Sequence, residues 1–100
     1  MSTVAVTTVS NARAAANEWL SKHLPDRFAS GIPQFDEQLS AWRIPVWLAY
    51  PRLEPLGPVG ELVIDEASGA VEKHTPLAEI KAKAQQLYER HREQIEAPVL

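Results

Sequence analysis

The sequence contains no cysteine, and that absence excludes three kinds of chemistry at once. Disulfide bonds, thiol catalysis and thiolate metal sites all require cysteine, so the chain must fold and act without them. A chain without disulfides suits a reducing compartment, which predicts the cytoplasm as its location. The first ten residues have neither a basic leader nor a long apolar run, and we therefore expect no signal peptide.

Long apolar runs and an excess of basic charge are missing as well. No apolar stretch reaches the roughly 18 residues that a membrane-spanning helix needs, so the sequence predicts no membrane segment. Lys and Arg number 10 against 13 Asp and Glu, and the formal net charge is -3. This balance lacks the positive field that holds nucleic-acid phosphates, so direct binding to DNA or RNA is not expected.

What remains is the composition of an ordinary folded domain, with 45% hydrophobic and 23% charged residues in a chain of 100. That length supports one hydrophobic core but not a second independent one. We expect a flexible N-terminus over residues 1–9, a single α+β domain over residues 10–97 and a tail over residues 98–100.

The clearest structural signal is the segment Val59–His74, which predicts a β-hairpin. Its residues alternate with a period of two, and Leu62 and Ile64 are expected to face the core. Gly69 lies in the turn, where its backbone can adopt the left-handed conformation that closes a short loop. The opposite face of the first strand is predicted to carry Val59, Glu61, Val63 and Asp65.

Two further strands are predicted before this hairpin. The segment Ala41–Tyr50 is the most apolar strand, and a weaker edge strand is expected over Phe28–Phe35, where Gly31 and Pro33 suit an edge or a bulge. Pro45 cannot donate a ladder hydrogen bond, so the apolar strand must bulge there or turn that position away from a neighbour. One face of this strand is predicted to carry Trp42, Ile44, Val46, Leu48 and Tyr50.

One helix is predicted before the strands in the chain and one after them. The first is capped by Ser10 or Asn11 and runs to about His23. The second begins at Thr75, whose hydroxyl is expected to cap it, and runs to about Ala97 as an unusually long helix. The predicted fold is therefore α+β, with an N-terminal helix, a three- to four-stranded antiparallel sheet and a long C-terminal helix.

The hairpin resembles the PepSY-type domain, whose signature is a strand that ends in an acidic residue, a small polar turn and a returning strand. The matching residues are Val63-Ile64-Asp65 and Ser68-Gly69-Ala70-Val71, and the resemblance covers about residues 11–75. It implies an inhibitory or small-ligand-binding domain. The long helix over Thr75–Ala97 departs from the PepSY pattern.

The chain as a whole also resembles small bacterial proteins that accompany a PIN-domain ribonuclease. The segments that carry this second resemblance are WRIPVWLAYP, HTPLAEIKAKAQQLYERHREQIEAP and the hairpin. The resemblance implies that the chain is the neutralising, antitoxin-like partner of such a ribonuclease.

Candidate catalytic and metal-binding groups are few. The three histidines, His23, His74 and His91, are far apart and lack the spacing of metal ligands, so no metal site and no cofactor are predicted. Two acidic pairs, Asp36-Glu37 and Asp65-Glu66, could supply a general acid and base. Both pairs lie beside predicted turns, where acidic residues commonly bond backbone amides, and we therefore predict no catalytic residues and no enzyme.

The second face of the sheet offers a candidate binding surface. Arg43 and Trp47 lie on it beside Val63 of the next strand, and Arg and aromatic side chains are enriched in protein interfaces. Two arrangements remain open: one helix covers each face, or both helices cover one face and leave the other free. The leading hypothesis is a non-catalytic interaction module whose partner is another protein or a second copy of the chain.

The alternative hypothesis is a small enzyme or a ligand-binding domain. Its pocket would lie between the last helix and the sheet and would use Tyr88, His91 and Asp65. A pocket lined by convergent polar groups would favour this alternative over the interaction module.

Overall fold

A computed structural model of the chain describes residues 8–51 and 53–96 and confirms the α+β fold. The helices form one layer and the antiparallel sheet forms the other. In chain order the elements are α1 (Val9–His23), β1 (Phe28–Ser30), β2 (Gln34–Asp36), β3 (Ala41–Leu48), β4 (Gly57–Asp65), β5 (Val71–His74), α2 (Leu77–Arg90) and α3 (Arg92–Glu96).

The sheet contains five strands, and two of them, β1 and β2, lie end to end along the same edge of β3. β3 pairs along its length with β4, and β4 pairs with β5. The other edge of β3 pairs with β1 through Phe28–Ser30 and with β2 through Gln34–Asp36. The predicted edge strand is therefore present but divided in two, which raises the strand count above three to four.

Prolines explain the break in this edge strand. The Gly31 N–H donates to the Pro45 carbonyl at 2.8 Å, so Pro45 directs its backbone polar groups toward the gap between β1 and β2. Pro45 has no N–H to offer there, and Pro33 has none to offer from the opposite side. The ladder between β3 and the edge strand consequently lacks N–H donors at Pro45 and at Pro33.

Both helices pack on the same face of the sheet, which decides between the two predicted arrangements. Ile44, Leu62 and Ile64 are fully buried beneath them, as the alternation predicted. α1 contributes small residues and α2 contributes Ile80, which is also fully buried. The core shared by the helices and the sheet consists of Ala12, Ala16, Leu20, Leu24, Ile44, Val46, Leu48, Val59, Leu62, Ile64, Ile80 and Ala84.

A bulge in β4 corrects the predicted position of Val59. Val46 of β3 pairs with Gly60 and Trp47 pairs with Pro58, so Val59 is an extra residue between the two pairs. The extra residue shifts the alternation by one, and the Val59 side chain enters the core with 1% exposure instead of facing away.

The helix ends also differ from the prediction. Thr8 caps α1, because its hydroxyl accepts the Asn11 N–H at 3.1 Å, and the helix begins at Val9 rather than after Ser10 or Asn11. The Thr75 hydroxyl does not cap α2, since it accepts the Glu61 N–H at 2.9 Å and extends the β4–β5 pairing.

The C-terminal helix is shorter than predicted. α2 ends at Arg90, and the His91 N–H bonds the carbonyls of both Leu87 and Tyr88 in a tightened last turn. Leu87 lies over Gly57, the first residue of β4. The shorter α3 follows, up to Glu96.

Two predicted end segments fall largely outside the described part of the chain. Residues 1–7 of the predicted flexible N-terminus and residues 97–100, which include the predicted tail, lie outside the described residues. Within residues 8–51 and 53–96, no helix has the length and hydropathy to cross a bilayer.

The turn between β4 and β5 gives a direct test of the hairpin. Gly69 has φ +74°, in the left-handed region, as the sequence predicted. Gly69→Ala should lower the free energy of unfolding by about 1–2 kcal/mol, the usual cost of that conformation for a residue with a Cβ. Gly69→Asn should cost less, because asparagine tolerates this region. Urea denaturation measures both variants, and an equal loss in both would contradict the assignment.

Candidate functional site

The face of the sheet opposite the helices carries an apolar groove of about 630 Å³. Trp47 and Pro45 of β3 line it from below, and Pro55 lines it from the segment that leads into β4. Neither α1 nor α2 packs its core residues on this face, since those residues all join the cluster on the other side. Within residues 8–51 and 53–96, no helix therefore covers the groove on this face of the sheet.

Trp47 is held in the groove by its contact with Gly31. A Cβ on Gly31 would lie 2.3 Å from the Trp47 Nε1 and 2.7 Å from the Pro45 Cγ, which is closer than side chains can approach. Any residue with a Cβ at this position would therefore force the Trp47 indole or the Pro45 ring to move. The break between β1 and β2, where the edge strand lacks ladder hydrogen bonds, is therefore also the place where the Trp47 side chain packs.

The rim of the groove combines one exposed apolar side chain with charges of both signs. Ile32 is 72% exposed, more than any other large hydrophobic residue described. Arg13 lines the groove from α1 and Glu54 lines it from the segment before β4. Arg13 also donates to the Ser30 carbonyl at 3.5 Å, and Asn17 accepts the Ser30 N–H, so these α1 side chains occupy the outer edge of β1.

The predicted partner-binding residues do not form one apolar patch. Trp47 lines the groove, whereas Arg43 lies further along the face in a bidentate ion pair with Glu61, with nitrogen–oxygen distances of 3.0 and 3.1 Å. The hydrogen bond to Glu61 raises the pKa of the Arg43 guanidinium, and Asp36 at 3.7 Å acts in the same direction.

Val63 is only 7% exposed although its face carries no helix. Its direct cross-strand neighbours are Arg43 on β3 and Lys73 on β5, two residues with long aliphatic stems that can cover an adjacent side chain. Val63 therefore offers a partner little surface, and of the three predicted residues Trp47 is the one positioned in an open groove.

The residues of the alternative pocket are not brought together. A crevice of about 350 Å³ does lie between α2 and the sheet, and Tyr88 lines it together with Tyr50, whose ring centroid is 6.4 Å away. Asp65 lies at the opposite end of β4 from this crevice. His91 follows α2, and its Nδ1 lies 3.1 Å from the Gln94 side-chain oxygen.

The acidic pairs that could supply a general acid and base are engaged in turns. Asp65 accepts the Ser68 N–H at 2.8 Å, and this hydrogen bond lowers the pKa of the Asp65 carboxyl. Asp36 accepts the N–H groups of Gln38 and Leu39 at 3.0 and 3.2 Å. The Asp65 hydrogen bond stabilises the folded state above the ordinary carboxyl pKa, and this stabilisation is lost as the pH falls through the lowered pKa of Asp65.

The histidines likewise bond local groups. The Nδ1–H of His23 donates to the Trp19 carbonyl and that of His74 donates to the Thr75 carbonyl, both at 2.8 Å. Across residues 8–51 and 53–96, no group of three His, Asp or Glu side chains is arranged to hold a metal ion.

Sequence reasoning missed the residues that complete both cavities. The sequence predicted Ile32 to be part of one continuous edge strand, whereas it lies in the break between β1 and β2. Arg27 and Lys81, which line the crevice, come from different elements that meet only in the folded chain. No spacing in the sequence links them, so only the topology reveals their proximity.

The contact between Gly31 and Trp47 predicts strong coupling between these two positions. Gly31→Ala should lower the free energy of unfolding by about 1–3 kcal/mol, because the new methyl group overlaps the indole. The same substitution in a Trp47→Ala background should cost less, with a coupling energy of about 0.5–3 kcal/mol. A double-mutant cycle by urea denaturation measures the coupling, and strictly additive costs would mean that the two residues do not touch.

The hydroxyl of Tyr88 donates to the Glu96 carboxylate, and this contact predicts a pH-dependent signal. The hydrogen bond raises the pKa of Tyr88 and lowers the pKa of Glu96. For Tyr88, the stabilisation is present below the ordinary tyrosine pKa and is lost as the pH rises through the raised value. In Glu96→Gln, ultraviolet titration should show a lower Tyr88 pKa, with Tyr88→Phe assigning the signal. An unchanged titration would show that the contact is absent in solution.

Comparisons of the chain with protein-family models, with curated proteins and with solved structures found no match.

Proposed function

We propose that this chain is a non-catalytic interaction module that binds another protein through the groove beside Trp47. The observation that carries the proposal is the groove itself, an apolar cavity of about 630 Å³ on the sheet face that neither helix covers. An open groove with a tryptophan at its base is the kind of pocket that receives an anchoring apolar side chain of a partner.

The composition of the groove supports this role. Most of its lining is apolar and includes Trp47 and Pro45, and the lining also contains the charged residues Arg13 and Glu54. Protein interfaces commonly combine an apolar centre with a polar rim, and the rim charges fix the orientation of the partner. Ile32, with 72% of its surface exposed, adds apolar area that a bound partner would remove from water.

The engaged carboxylates favour binding over catalysis. Asp36 and Asp65 already accept backbone N–H groups in turns, and the lowered pKa of Asp65 disfavours the protonated form that a general acid needs. One carboxylate of each predicted acidic pair is therefore engaged in a turn.

The partner that we propose is the one implied by the resemblance of the sequence to small bacterial proteins that accompany a PIN-domain ribonuclease. We place the chain in the cytoplasm as the antitoxin-like partner of such a ribonuclease. The groove would then hold an apolar side chain of the ribonuclease, with Arg13 and Glu54 pairing charged groups around it. This assignment names the first protein to test.

Ile32→Glu is predicted to weaken partner binding by at least about tenfold, because it puts a charge into the contact between apolar surfaces. The stability of the variant should change little, since Ile32 is exposed in the free chain. Leu39→Glu is the matched control, as Leu39 is another exposed apolar residue but does not line the groove. Binding to a purified PIN-domain ribonuclease from the same organism is measured by calorimetry, and circular dichroism checks the fold.

Three outcomes would contradict the proposal. Equal binding by wild type and Ile32→Glu would place the interface elsewhere, and equal loss in Leu39→Glu would show a nonspecific effect of charge. A wild-type homodimer that Ile32→Glu dissociates would show that a second copy, rather than another protein, occupies the groove.

A further inference from the structure

We propose that the crevice between α2 and the sheet is a second binding site, which takes a small aromatic carboxylate. The crevice has a volume of about 350 Å³, within the range of small-molecule sites in proteins. It shares no lining residue with the groove beside Trp47, so this inference is independent of the proposed function.

The apolar part of the crevice suits a flat ring. Phe28 and Leu48 line it from the sheet and Ala84 lines it from α2, where a small side chain leaves room above the strands. Tyr50 and Tyr88 supply two aromatic walls with ring centroids 6.4 Å apart and an angle of 43° between the ring planes. Aromatic rings favour edge-to-face and offset contacts with other rings, which selects an aromatic ligand over a flexible chain.

The charged part of the crevice suits an anion. Arg27 and Lys81 are its charged lining residues, and no acidic residue lines it. Neither cation forms an ion pair with any residue in 8–51 or 53–96. Two cations that have no acidic partner among the described residues therefore lie beside an apolar cavity, in a chain whose net charge is -3.

Arg27 makes two contacts with neighbouring groups in the chain without a ligand. Its guanidinium carbon lies 5.2 Å from the centroid of the Tyr50 ring, in a cation–π contact, and its backbone carbonyl accepts the Ala49 N–H at 2.8 Å. A positioned guanidinium can donate two parallel hydrogen bonds to a carboxylate, whereas a ring without a negative group would leave both cations unused. The cavity therefore favours a planar ring with a carboxylate at its edge.

The test uses naphthoate as the probe and naphthamide as its uncharged analogue. Titration followed by amide NMR spectra should show naphthoate binding about tenfold more tightly, the change expected from a charge-assisted hydrogen bond. The shifts should centre on residues around Tyr50 and Tyr88. Lys81→Gln and Arg27→Gln should each weaken naphthoate binding several-fold and leave naphthamide binding unchanged.

Lys83→Gln is the matched control, because Lys83 is an exposed lysine on the same helix that does not line the crevice. Its naphthoate affinity should equal that of wild type. A Gln85→Trp variant, which fills the crevice without changing its charge, should lose both probes. Equal affinity for naphthoate and naphthamide would overturn the inference, as would an equal effect of Lys81→Gln and Lys83→Gln. Shifts centred on Trp47 would overturn it too.

Discussion

The contact between Gly60 and Ile80 allows α2 to lie directly on the sheet. A Cβ at Gly60 would lie only 2.8 Å from the Ile80 Cγ1, so the absence of a side chain at this position sets the distance between the layers. Ala12 and Ala16 serve α1 in the same way, since small residues let a helix approach the strands. Both helices thereby fit on one face of a small sheet, and no helix among residues 8–51 and 53–96 covers the opposite face.

The one-sided core separates two surfaces with different chemistry. The uncovered face carries the groove, where Trp47 lies across the broken edge strand and charges of both signs surround an apolar centre. The helical side carries the crevice at the end of α2, where aromatic walls meet Arg27 and Lys81. A protein partner at the groove and a small anion at the crevice would therefore bind without competing for the same residues.

Local patterns in the sequence predicted the elements but not the contacts between them. The alternation around Leu62 and Ile64 and the turn at Gly69 depend on neighbouring residues, and the structure confirms them. The inward turn of Val59 depends on a bulge that forms only when β4 pairs with β3. The burial of Val63 likewise depends on long side chains from adjacent strands.

The candidate sites follow the same division. Trp47 and Tyr88 could be selected from the sequence because aromatic side chains are enriched in binding sites. Their accessibility had to come from the fold, because it depends on where both helices pack. Solvent paramagnetic relaxation enhancement with a soluble gadolinium chelate tests that arrangement most directly. This arrangement predicts strong relaxation at the Ile32 methyl groups and the Trp47 indole, and weak relaxation at the Ile44 and Ile80 methyl groups. Protection of Ile32 and Trp47 equal to that of Ile44 in the free chain would contradict it.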